Sequence, residues 1–327
     1  MNTIPKIDWK SLERPIVALS PMADMTDSPF CRIVRRFGGH ILFREMVSSE
    51  ALVRGSEKTL DMARWHPEEA PIVQQIFGKD PDTMAEAARI VERETSPQGI
   101  DINMGCPVYK ITSDFNGAAL MKEPELAAEM VRKMKAAVSV PISVKIRLGW
   151  DDPTTALDFA PRMEEAGAEL ITVHGRTKAQ GYSGVADWEM VGGVKERVSI
   201  PVLVNGDVHS AEAAVPAMAA SGADGILIAR GALGAPWRLA QIEEMLKYGE
   251  VRTVVDDELF FRTILDHTQL MIEQEGERGV VLMRKHFSWY FKGRHGAKEI
   301  RGRLVKTETL EEVKEVLAWA KTFNPEA

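Results

Sequence analysis

Short runs of β-branched and other apolar residues recur along the first three quarters of the chain. Between them apolar positions return every three to four residues. The runs are Pro15 to Ala23, His40 to Val47, Pro71 to Gly78, Gly99 to Pro107, Pro141 to Gly149, Ala168 to Arg176, Pro201 to Val208 and Ala223 to Arg230. Eight runs alternating with helical segments are the pattern of βα units in a parallel sheet. Several runs open on a proline or glycine, which suits the entrance to a buried strand, where no ladder donor is lost. Asp80-Pro81, Glu123-Pro124 and Ser210 each place a cap or a first-turn proline where a helix should start.

Eight such units predict an α/β fold, a (β/α)8 TIM barrel over about residues 15 to 245. An open doubly wound sheet would need a GxGxxG turn after its first strand, whereas that strand ends Ser20-Pro21-Met22-Ala23. From Val255 onward the period is helical throughout, so a small C-terminal all-α helical bundle is expected to follow the barrel. The join is placed near Lys247 to Thr253, dividing the chain into domains 1–246 and 247–327.

With 327 residues, 45% of them hydrophobic and 27% charged, the chain can bury a sizeable core and is neither a minimal module nor a disordered one. Lys6, Asp8, Lys10, Glu13 and Arg14 leave no room for a secretory apolar stretch. The most apolar later segment, Ala213 to Ala229, is broken by Asp224, so no membrane span is expected and the cytoplasm is the expected location. The two cysteines, Cys31 and Cys106, are read as free thiols. The net charge of −7 is unevenly spread. Residues 278–306 hold nine cations against the single acid Glu299, so that segment carries +8 and the remainder −15.

In a barrel of this kind the chemistry sits at the carboxyl ends of the strands. Here those ends read Gln74-Gln75, Asn103-Met104-Gly105-Cys106, Lys145-Ile146-Arg147, His174-Gly175-Arg176, Asn205-Gly206-Asp207 and Ala229-Arg230. Each has a bland alternative: Lys145 a lysine reaching the rim, Cys106 a small buried hydrophobe, His174 a bonded core histidine, Asn205-Gly206 a turn. As a group they are too polar for packing alone, because each unpaired buried polar group costs about 1–3 kcal/mol. The loops after strands seven and eight are where such barrels hold phosphate, and Lys145 with Gln75 suits the polar edge of a ring, as in a flavin. No metal site is expected.

The strings SPMADMTDSPFCRIVRRFGG, VQQIFG, IDINMGCPVYKI, NGAALM, VKIRLGW, ITVHGRT, VLVNGDV and ARGALGAPW resemble, in order and spacing, the FMN-dependent tRNA-dihydrouridine synthases. MRKHFSWYFKG is similar to that family's RNA-binding domain. The resemblance implies reduction of the C5=C6 bond of selected uridines in tRNA by an enzyme that holds FMN and takes electrons from NADPH or NADH. It implies Pro21, Met22 and Ala23 along one side of the FMN, Gln75, Lys145 and His174 around its ring, and Asn205, Gly206, Asp207, Ala229 and Arg230 at its phosphate. Asn103 falls beside flavin and target base, and Cys106 is the implied proton donor. The family usually has glycine where this chain has Ala229.

Hydride delivered to C6 of uracil pushes charge toward O4, and a proton must then reach C5. A thiol with an ordinary pKa of about 8.5 is protonated at neutral pH and suits that task. The target base must also leave its stack to enter the pocket. Arg284, Lys285, Lys292 and Arg294 are the expected tRNA contacts, while Trp289, Tyr290 and Phe291 are expected mostly to pack the bundle. A monomer with no obligate protein partner is expected. Two other readings stand beside this one: a dihydroorotate-dehydrogenase-like flavin barrel acting on a small molecule, and a non-catalytic tRNA-binding protein.

Overall fold

Each of the eight expected runs holds a strand; seven strands are shorter than their runs, and the second continues one residue past Val47 to Ser48. In a computed structural model, which describes residues 4–39 and 41–323, the strands are β1 (Ile16–Leu19), β2 (Ile41–Ser48), β3 (Ile72–Phe77), β4 (Gly99–Met104), β5 (Ile142–Arg147), β6 (Leu170–His174), β7 (Val202–Asn205) and β8 (Gly225–Ile228). His40, the expected start of the second strand, lies outside the described residues. The prolines that open several runs precede the first ladder residue; at the other end Gln75, Asn103, Lys145, Arg147, His174 and Asn205 are still ladder residues, and Cys106, Arg176, Asp207 and Arg230 lie on the loops that follow at the barrel mouth.

The strands are all parallel and close in the order β1 to β8, with Ile16 of β1 in register with Gly225 of β8. Closure there needs glycine, because a Cβ at residue 225 would overlap the backbone of Ile16. Period-two alternation sorts the side chains of each strand. In β5, Ile142, Val144 and Ile146 point outward into the large cluster shared with the helices, while Ser143, Lys145 and Arg147 take the other face. β4 divides likewise into Ile100, Ile102 and Met104 against Asp101 and Asn103. The floor of the barrel is apolar, built from Ile16, Ala18, Phe43, Val73, Leu170, Leu203 and Leu227 and closed from below by Trp9. Polarity inside the barrel therefore rises toward the carboxyl ends.

The capping signals act as expected. Asp80 caps the helix Pro81–Thr95 and Ser210 caps Ala211–Ser221, each side chain accepting from a backbone N–H three residues on, while Pro124 opens Pro124–Ala137. Beyond β8, the helix Arg238–Tyr248 ends at Gly249. The helices Asp257–Glu275, Arg278–Leu282, Arg284–Tyr290, Ala297–Leu304 and Leu310–Thr322 then enclose a separate apolar cluster that includes Phe260, Phe287, Phe291, Leu304 and Leu317.

Bundle and barrel meet over the helix Ser28–Arg36. Asp27 caps that helix through Oδ1, which accepts from Phe30 N, and its Oδ2 lies 3.1 Å from Lys285 Nζ and 3.7 Å from His286 Nε2. His267 lies against His286 in a tilted arrangement, ring centroids 4.4 Å apart and planes at 57°, and is bonded through Nδ1 to the Tyr290 hydroxyl at 3.1 Å. Burial pushes the Asp27 carboxyl up, yet the His286 contact and the charges of Lys285 and the histidines outweigh it and hold the group well below the usual carboxylate range. The side chain is thus a carboxylate that ties the two parts together.

Candidate active site

The carboxyl ends of the strands surround a cavity of about 650 Å³, within the range typical of cofactor sites. Pro21, Met22, Ala23, Gln75, Asn103, Cys106, Lys145, His174, Asn205, Gly206, Asp207, Ala229 and Arg230 all line it. Residues up to 209 positions apart in the sequence meet here because each closes a strand of the same ring.

Lys145 Nζ sits 3.2 Å from Asn205 Oδ1 and forms no ion pair with a carboxylate among the described residues. Burial, and then the charge of Arg147, lowers its pKa to about 8, with Asp101 opposing the shift. Arg230 is in the same position: its guanidinium lies 4.7 Å from the centroid of the Tyr182 ring, and no carboxylate neutralises it among the described residues. The buried Arg176 is different, since Asp207 Oδ2 accepts from its Nη2 at 2.6 Å and from Ala186 N at 2.7 Å. His174 is pushed well below the ordinary histidine range by burial and by the surrounding cations Lys145, Arg147, Arg176 and Arg230, so it is a neutral imidazole at pH 7.

Cys106 lies on the loop after β4. Asn103 Oδ1 accepts from the N–H of Gly105 at 3.1 Å and of Cys106 at 2.9 Å, while Cys106 O accepts from Ala118 N. The segment Gly117–Lys122 thereby braces the loop from beneath. Burial raises the Cys106 thiol above its ordinary pKa despite a backbone N–H and the nearby Arg147 and Lys145, so the group is protonated at neutral pH.

The four tRNA contacts expected in the bundle fall in different places. Lys292 and Arg294 line a second groove together with Arg230, His209 and Arg238. There Lys292 lies over the Trp289 ring, and Arg294 pairs with Asp257 at 2.7 Å. Lys285 instead faces Asp27, and Arg284 donates to Thr307 O at 3.2 Å. Tyr290 and Phe291 are buried in the bundle core and Trp289 packs partly against the barrel, so these aromatics pack as expected.

Sequence reading gives no role to Arg147, Tyr182, His209 or Asp101. Arg147 donates to the carbonyls of Gly105, Thr177 and Gly181, and so pins the loops after β4 and β6. Asp101 shares a strand face with Asn103 two residues on, a signal the alternation of IDIN carries. Tyr182 and His209 are loop residues with no periodic signature.

The closed ring of parallel strands makes this a TIM-barrel protein, with an amide pair, a thiol and two cations without carboxylate partners among the described residues gathered at its mouth. The family model for dihydrouridine synthase matches residues 17–324. A probable tRNA-dihydrouridine synthase 1 of Synechocystis is 40% identical over 305 residues, spanning 92% of this chain and 85% of its own. The tRNA-dihydrouridine synthase B of Pseudomonas syringae is 38% identical over 295 residues, 90% of this chain and 87% of that one. The chain belongs to the dihydrouridine synthase family and is an oxidoreductase of that family. In fold it is similar to histamine dehydrogenase from Rhizobium, with a TM-score of 0.55 and 13% identity over 93% of this chain and 61% of the other. Family membership does not favour the small-molecule dehydrogenase reading or the non-catalytic one. No helix is long and apolar enough to cross a membrane among the described residues.

Proposed function

We propose that this chain is a tRNA-dihydrouridine synthase that binds FMN in the barrel mouth, takes electrons from NADPH or NADH, and reduces the C5=C6 bond of specific uridines. One observation supports this above others: Lys145 and Arg230 face a single cavity without carboxylate partners among the described residues. Two uncompensated cations in a partly desolvated pocket are unfavourable by themselves and become favourable with an anion between them. The residues fit FMN on that ground, with Arg230 and the Asn205-Gly206-Asp207 turn suited to its phosphate and Lys145 and Gln75 to its pyrimidine edge. Pro21, Met22, Ala23, Asn103, His174 and Ala229 complete the lining.

When bound, the flavin supplies the hydride that reduces C6 of uracil. The chain's own residues do the rest. Lys145 holds positive charge against the anionic edge, and neutral His174 adds none. The half-buried Cys106 thiol keeps its proton at neutral pH and delivers it to C5. Lys292 and Arg294, continuous with the rim through Arg230, hold tRNA phosphates, whereas Lys285, paired with Asp27, and Arg284, bonded to Thr307 O, serve the packing of the bundle that carries them. In this reading residues 1–246 are the catalytic domain and 247–327 the tRNA-binding domain of a cytoplasmic monomer.

The test is direct. Protein purified under native conditions should be yellow and release FMN on denaturation, and it should form dihydrouridine in tRNA when NADPH is supplied. A colourless protein that cannot be loaded with FMN, or tRNA left unmodified by the loaded protein, refutes the reading.

A further inference from the structure

Behind the cavity a buried carboxylate ends a chain of side-chain hydrogen bonds that runs to the thiol loop. Asp101 on β4 is fully buried. Its Oδ1 accepts from Ser143 Oγ at 2.6 Å and its Oδ2 from Gln75 Nε2 at 2.6 Å. Gln75 Oε1 accepts from Asn103 Nδ2 at 2.9 Å, and Asn103 Oδ1 accepts from the N–H groups of Gly105 and Cys106. Every link runs in one direction, with each amide giving its NH2 toward Asp101 and its oxygen toward Cys106.

An amide side chain can be turned over by 180° at little steric cost, so its direction is set by whether an acceptor or a donor meets each end. An ionised carboxylate only accepts. Burial pushes Asp101 up to about 6, against the bonds from Gln75 and Ser143 that favour the ionised form, so it is ionised at neutral pH. Were Gln75 reversed, its NH2 would meet the NH2 of Asn103. Were Asn103 then reversed in turn, its NH2 would meet the two backbone N–H groups of the loop.

We propose that Asp101 is a positioning residue for Cys106: by accepting from Gln75 it fixes the direction of both amides and so holds the loop that carries the thiol at the barrel mouth. The assignment rests on the function proposed above, in which Cys106 meets the substrate and Gln75 the cofactor. It couples two sides of one site, since the amide that faces the cofactor edge also sets the loop that presents the proton. Asp101 itself touches neither substrate nor cofactor.

The experiment reads the loop without reading turnover. Wild type, Asp101→Ala and Asp101→Asn are purified with whatever cofactor they retain. Each is treated with iodoacetamide, and alkylation of the Cys106 and Cys31 peptides is followed separately by mass spectrometry. Cys31 is fully buried and serves as an internal monitor of barrel integrity. Asp101→Ala removes the acceptor, and Cys106 should react about tenfold faster while Cys31 stays protected. Asp101→Asn is isosteric. It keeps an oxygen for Gln75 when its NH2 turns to Ser143, whose hydroxyl then accepts, so the Cys106 rate should stay within about twofold of wild type.

An unchanged Cys106 rate in Asp101→Ala overturns the proposal. So does parallel labelling of Cys31, which makes the residue merely structural, or equal acceleration in Asp101→Asn, which makes charge the cause. Because labelling needs neither flavin nor tRNA, a protein that binds no FMN refutes the proposed function and still shows whether Asp101 holds the Cys106 loop in place.

Discussion

Substituting Gly206 by alanine tests the phosphate end of the site most sharply. Gly206 has φ of +120°, and a Cβ there would lie 2.8 Å from Ala186 Cβ, 2.9 Å from His174 Cδ2 and 3.2 Å from His174 Nε2. Holding a non-glycine residue in that backbone region costs about 1–3 kcal/mol. Overlap with two packed neighbours adds about 1–3 kcal/mol, because His174 and Ala186 are both buried and cannot recede freely. The expected loss is about 2–6 kcal/mol, a large part of the ~5–15 kcal/mol that stabilises a typical domain. At ~2–4 °C per kcal/mol it lowers the melting temperature by about 4–24 °C. Since the easiest relief moves the 205–207 turn or turns His174 away, FMN retention should fall further than stability alone explains. The assay is thermal melting by circular dichroism for the loaded and the stripped protein, with flavin fluorescence reporting FMN release from the loaded one. Gly222→Ala is the control. It also sits at positive φ, +55°, but has no atom within 4 Å of the added Cβ, so it should melt slightly earlier and keep its flavin. Gly206→Ala melting within about 2 °C of the parent with full FMN retention would refute the reasoning.

Cys106→Ala should retain FMN and accept electrons from NADPH, yet lose about 100-fold or more in dihydrouridine formation, the scale of a general acid; full turnover would remove Cys106 from the mechanism. Burial holds Lys145 down to about 8, and the hydrogen-bond-accepting pyrimidine edge of the flavin favours its charged form. Affinity for FMN should therefore fall as pH rises from about 7 to 9, and titrations of Lys145→Met should be weaker and flat across that window. Charge reversal at Lys292 and Arg294 should weaken tRNA binding and reduce its salt dependence, with reduction by NADPH unchanged; an equal loss in both assays indicates misfolding. Lys285→Glu should behave differently. It sets a carboxylate against Asp27, and a lowered melting temperature should accompany any loss of tRNA affinity.

The barrel was legible in the sequence because its causes are local. β-branched runs of strand length, prolines and glycines at their entrances, and the caps Asp80 and Ser210 each act within a few residues. The residues at the strand ends were legible as well, since a closed parallel ring brings the carboxyl ends of all its strands to one mouth. The ends of the strands were not, because a ladder stops where a neighbouring strand stops, as at Leu19 and Ile228, and that is a property of the pair.

Pairing decided what the charge pattern left open. By composition the nine cations of residues 278–306 form one basic face. The fold turns Lys285 inward to Asp27 and leaves Lys292 and Arg294 on the groove beside Arg230. Asp101 is the same case inside the barrel, an acid in an apolar strand whose partners Gln75 and Ser143 come from the strands on either side. Residue type and order determined the ring and its mouth, because those follow from periodicity. Which polar group meets which was decided only by tertiary contact, because hydrogen bonds and ion pairs depend on positions a few ångströms apart that sequence distance does not encode.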